Sequence, residues 1–134
     1  MNEELDSQLS AMFDDELPPQ ECELLARRLS RDEALKARWG RYAVVGAVIR
    51  AERGVRLNAP LAGRVNAAID ALPEDLRTAI VLRELEGLSY EEIATAMDCP
   101  VGTVRSRIFR AREAIDKRLR EVFEGGLGRA EELG

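Results

Sequence analysis

Apolar residues recur at three- and four-residue intervals along nearly the whole chain, and no strand candidate of useful length interrupts them. A stripe of that period is buried only when wound on a helix, so the expected fold is all-α. Aromatic residues are 4% of the 134, which leaves Leu, Ile, Val and Ala to build the core. Prolines and caps divide the rhythm into helices. A first helix carries Leu5, Leu9, Met12 and Phe13 and is stopped by Pro18 and Pro19, which can open a second with Leu24, Leu25 and Leu29. Ser30 and Glu33 read as a capping box for a third, striped by Leu35, Trp39, Tyr42, Val45 and Ile49 and ended by Gly54. Asn58 reads as the cap of a fourth, and Pro73 starts a fifth that Gly87 closes. A second box, Ser89 with Glu92, opens a short sixth helix to about Met97. After the turn at 98–102 a seventh runs to roughly Phe123, leaving the Gly-rich 125–134 as an expected flexible tail.

The residue inventory removes several function classes. There is no histidine, and Cys22 and Cys99 are the only thiols, far apart in sequence, so neither a clustered zinc site nor a His-based catalytic centre is expected. No Gly-Lys phosphate loop and no carboxylate constellation beyond surface charge points to an enzyme or to a cofactor. The longest apolar run, 42–49, is far below the roughly 20 residues a membrane span needs. No signal peptide is recognisable, and the expectation is a soluble, cytoplasmic protein.

Charge is distributed unevenly behind the net −5. Residues 1–20 hold six acidic side chains and no basic one, whereas 103–120 hold seven basic residues against Glu113 and Asp116. A short helix, a tight turn containing Gly102 and a longer basic helix make a helix-turn-helix pattern. At 100° per residue Val104, Ile108, Ala111, Ile115, Leu119 and Val122 form the buried stripe of the last helix. Gly102, Arg105, Ser106, Phe109 and Arg110 lie opposite. An exposed Phe109 between arginines suits contact with thymine methyls beside guanine-reading Arg; packing on another part of this chain, or on a partner, is the alternative. Thr103 and Ser106 can donate to phosphate, while Arg107 and Arg112, flanking the buried stripe, suit a phosphate contact or an internal ion pair.

The run LPEDLRTAIVLRELEGLSYEEIATAMDCPVGTVRSRIFRAREAI, residues 72–115, resembles region 4 of extracytoplasmic-function sigma factors, especially the sigma-E group of the envelope stress response. The resemblance implies recognition of the minus-thirty-five promoter element by the last helix and docking on the flap of the RNA polymerase β subunit. Carried over by position, Arg83, Thr103, Arg105, Ser106, Phe109 and Arg110 form the implied DNA-binding set. The chain has no room for the region 2 that such factors place before region 4.

In its place stand DSQLSAMFDDEL, residues 6–17, and LKARWGRYAVVGAVIR, residues 35–50. With Trp39, Tyr42 and Gly46 spaced as Trp-x-x-Tyr-x-x-x-Gly, this half resembles the cytoplasmic amino-terminal domain of metal-free anti-sigma factors that restrain sigma-E. That resemblance implies a contact between sigma and anti-sigma units, within the chain or in a homodimer, with Leu9, Met12, Phe13, Trp39, Tyr42 and Ile49 as interface candidates. For Trp39 an ordinary core role is the stronger expectation. The implied organisation is an anti-sigma-like domain at 1–68, a region 4 domain at 69–124 and the tail. The corresponding function is a transcription regulator whose first half binds or masks its second. Alternatives are a stand-alone helix-turn-helix factor with a dimerisation module, or a protein-only decoy for polymerase or a sigma factor.

Overall fold

The computed structural model describes residues 3–51 and 59–133, with side chains described for 3–51 and 60–121. Seven helices and no strand occur among these residues, as the all-α expectation requires: α1 Glu3–Phe13, α2 Pro19–Leu29, α3 Glu33–Ile49, α4 Ala59–Asp70, α5 Glu74–Glu84, α6 Tyr90–Met97 and α7 Val101–Leu133.

Helix boundaries follow local chemistry with three departures from the sequence reading. Helix α3 is capped by Asp32, whose carboxylate accepts from the Leu35 amide at 3.2 Å. Ser30 instead closes α2, its hydroxyl donating to the Arg27 carbonyl at 2.7 Å. Asp32 prevails because its extended backbone points a stronger acceptor into the first turn. Helix α3 ends at Ile49, with Ala51 at φ 55, before Gly54 is reached; Gly54 and Asn58 lie outside the described residues. Helix α7 continues to Leu133, through the segment expected to be a flexible tail. Each glycine there costs a helix only about 1 kcal/mol, and no proline forbids continuation. The Ser89–Glu92 box forms in full, its two hydrogen bonds at 3.1 and 2.9 Å. Asp98, at φ 52, terminates α6 and turns the chain into α7.

Three apolar clusters hold the helices. Leu9, Ala11, Leu17, Leu25, Leu35 and Tyr42 form the core of the α1–α3 unit, with Leu5, Met12, Phe13 and Trp39 against it. Ala79, Tyr90, Ile93, Ala94, Val104 and Ile108 form the core of the helix-turn-helix. The third joins the halves: Val45 and Val48 of α3 pack with Val65, Ala68 and Ile69 of α4, Leu72, Ile80 of α5, and Ala111, Ile115 and Leu119 of α7. This shared cluster removes apolar surface of α3, α4, α5 and α7 from water.

Candidate nucleic-acid interface

Helix α7 turns its predicted stripe inward: Val104, Ile108, Ala111, Ile115 and Leu119 are buried, while the Val122 side chain lies outside the described set. The opposite face is where the sequence reading needs correction. Phe109, expected to be exposed, is only 4% exposed. Helix α1 lies along this face. A cleft of about 250 Å³ is walled by Glu3, Glu4 and Ser7 on one side and Gly102, Arg105, Ser106, Phe109 and Arg110 on the other. A ring of this size has much to gain from leaving water, and an amphipathic helix from the same chain supplies the cover. Of the other expected DNA-facing residues, Arg110 is exposed, and Thr103, Arg105 and Ser106 are half-buried.

The residues of α1 and the turn after it are acidic where this face is basic. Arg105 Nη2 lies 3.8 Å from Glu4 Oε1. Arg83, at the end of α5, donates to the Leu88 carbonyl at 2.8 Å and has its Nε 3.3 Å from Asp14 Oδ1. Arg107 pairs with Asp75 at 3.5 Å, the internal alternative for that residue.

Beneath this face lies a buried charge cluster that sequence reasoning did not assemble. Arg112 is fully buried. Its Nη1 and Nη2 donate to the two carboxylate oxygens of Asp14 at 2.8 and 2.7 Å, a fork-to-fork pair. It also donates to Ser10 Oγ at 2.9 Å, to the Ser10 carbonyl at 3.0 Å and to Glu84 at 3.1 Å. The rings of Phe13 and Tyr42 lie over it, their centroids 4.9 and 5.4 Å from the guanidinium carbon. Burial alone would lower the Arg112 pKa, but the hydrogen bonds and charge of Asp14, helped by Glu84, hold it above the ordinary arginine value. The Tyr90 hydroxyl donates to Asp14 at 2.5 Å, and burial, then the Asp14 charge, pushes its pKa well above the usual tyrosine range. Burial likewise pushes Tyr42 up to about 12.

Glu84 comes this close because Gly46 of α3 has no side chain. A Cβ there would stand 2.9 Å from both Glu84 carboxylate oxygens. A second network follows directly along α7: Arg38 of α3 contacts Asp6 at 3.5 Å, Asp116 at 3.2 Å and Glu113. Asp116, itself buried, also meets Arg41 and, at 3.3 Å, Arg120.

The six anti-sigma interface candidates divide between these settings. Leu9 is buried in the α1–α3 core, with Met12 and Trp39 packed on it, and Trp39 meets Phe13 edge to face at 5.0 Å. Ile49 packs on the cluster shared by both halves, and Phe13 and Tyr42 touch Arg112 directly. Sequence reasoning missed Asp14, Ser10, Glu84 and Tyr90. The available signal is Arg112 beside an apolar stripe, which calls for a phosphate or an acidic partner without naming one. Among the described residues no group of three potential ligands is arranged to hold a metal ion, and no helix is long and apolar enough to cross a membrane.

Residues 62–115 match the family Sigma-70, region 4. Over 59 residues the chain is 73% identical to the RNA polymerase sigma-H factor of Pseudomonas aeruginosa, covering 44% of this chain and 31% of that protein. Over 55 residues it is 74% identical to the ECF RNA polymerase sigma-E factors of Escherichia coli and Salmonella typhimurium, covering 41% of this chain and 29% of each. The chain thus spans about a third of the length of the curated relatives it matches. The matched segment opens within α4 and takes in α5, α6 and the first half of α7, so this part of the chain carries a region 4 helix-turn-helix.

Proposed function

We propose that the chain is a non-enzymatic transcription regulator in which a region 4 unit, able to bind a minus-thirty-five promoter element and the RNA polymerase β flap, is held closed by an anti-sigma-like amino-terminal unit. The observation that carries this reading is the path of α1 along the Gly102–Arg110 face of α7, which buries Phe109 and pairs Arg105 with Glu4. A duplex entering that face must displace α1. The relatives' names, RNA polymerase sigma-H factor and ECF RNA polymerase sigma-E factor, support the polymerase assignment. The buried Asp14–Arg112 pair supports a specific rather than incidental closure, because an uncompensated charge at either position is costly.

The test is duplex binding by the full chain and by its Asp14→Arg variant, which sets like charges against Arg112 and Arg83. At matched salt the variant binds at least about tenfold tighter, a difference of about 1.4 kcal/mol. In that background Arg110→Ala then loses about 1–3 kcal/mol if it reads a base. Equal affinities in two chains of intact helicity would refute masking.

A further inference from the structure

We infer that α1 and the turn after it sit on the helix-turn-helix as a mimic of the DNA backbone, with Glu4, Asp14 and Glu16 presenting carboxylates where the unit would hold phosphates. The inference deepens the masking reading and rests on it. Helix-turn-helix units straddle the backbone with arginines and with the amino-terminal amides of their helices, because both offer donors and positive potential to a phosphate. In this chain three such points, on three different helices, already carry an acid from the first 16 residues.

Arg83 closes α5 and meets Asp14 at 3.3 Å. The amide of Tyr90, first residue of α6, donates to Glu16 Oε2 at 3.2 Å. Arg105, in the second turn of α7, faces Glu4 at 3.8 Å. The Ser89 box already satisfies the Glu92 amide, so Glu16 takes a donor that the helix's own cap leaves unused. Local backbone geometry aims Glu16 at that point. After α1 the Glu16 amide folds back to the Ala11 carbonyl at 2.8 Å, with Asp15 at φ 58, and the reversed chain carries the Glu16 side chain over the start of α6.

The three acids differ in depth. Asp14 is 3% exposed and fixed by Arg112 and Tyr90, so it anchors the mimic. The Glu4 side chain is 74% exposed and Glu16 is half-buried, so a polyanion can compete for their partners first. The matching ligand is the phosphate backbone of duplex DNA, and backbone contacts carry no sequence information.

The experiment compares full-length Glu4→Gln, Glu16→Gln and the double variant with Glu23→Gln, which removes the same charge from α2, away from the interface. Anisotropy with a minus-thirty-five duplex and with a scrambled duplex of equal length is measured at matched salt. Each of the first two substitutions tightens binding about two- to fivefold, and the double variant multiplies the gains. The gain is the same for both duplexes and exceeds that of Glu23→Gln. Gains no larger than the Glu23→Gln gain, or confined to the promoter duplex, overturn the mimicry. In either case Asp14→Arg still reports separately on masking. Should the double variant melt below the assay temperature, the single ones decide, since an exposed Glu4→Gln leaves the buried anchor intact.

Discussion

Both carboxylate oxygens of Asp14 grip the guanidinium of Arg112, at 2.7 and 2.8 Å, across 98 residues of sequence. Each side chain is buried, and each comes from a different half of the chain. The pair therefore exists only when the halves are docked.

Removing one partner strands the other. Asp14→Ala leaves Arg112 with Glu84 and Ser10 but without its fork, and leaves the Tyr90 hydroxyl without an acceptor. Breaking a buried pair costs about 3–5 kcal/mol, and the remaining acceptors place this case near the lower end. Urea denaturation of the full chain should show that loss. A loss below about 1 kcal/mol would mean that the site is hydrated and open.

Gly46 and Gly40 lie six positions apart on α3 and should respond oppositely to alanine. At Gly40 a Cβ meets nothing within 4 Å, so Gly40→Ala gains up to about 1 kcal/mol of helix propensity. At Gly46 the Cβ meets the Glu84 carboxylate at 2.9 Å, and that group is tied to Arg50 and Arg112 and has little freedom to retreat. Overpacking of about 1–3 kcal/mol then outweighs the propensity gain. Thermal midpoints moving up for Gly40→Ala and down for Gly46→Ala are the expected pattern.

Alkali should destabilise the fold through two buried tyrosines. Tyr42 is pushed up to about 12 by burial, and Tyr90 is raised by burial and by Asp14. The unfolded chain ionises its tyrosines near 10 while the folded chain keeps them protonated. Their contribution is therefore complete below pH 10 and is lost at about 1.4 kcal/mol per pH unit per tyrosine above it. For Tyr42 the loss ends near pH 12. Stability measured from pH 9 to 12 should fall accordingly, and Tyr42→Phe should flatten the slope. An unchanged slope in that variant would contradict the assignment.

What sequence could and could not reveal divides by range. The Ser89–Glu92 box, the inward stripe of α7 and the helix-turn-helix were legible because each depends on residues within a few turns of one another. The cap of α3 is ambiguous in sequence because Ser30 and Asp32 are both competent caps, and only backbone direction selects between them. A helical wheel shows which way Phe109 points but not what another helix lays over it, so its burial is not legible in sequence. Arg112 was seen to need either a phosphate or an acid, but nothing local designates Asp14, which reaches it through the turn after α1. The acidic start and the basic end of the chain were both visible as composition. Their meeting is a tertiary fact.

On this account α1 and duplex DNA compete for one face of α7. Amide hydrogen exchange measured on the full chain, alone and saturated with a minus-thirty-five duplex, tests it most directly. The prediction is an exchange of protection: α1 amides between Glu3 and Phe13 lose it on DNA binding, while the Gly102–Arg110 turns of α7 keep or gain it. A duplex that binds with α1 protection unchanged would show that both are accommodated at once, and would contradict masking.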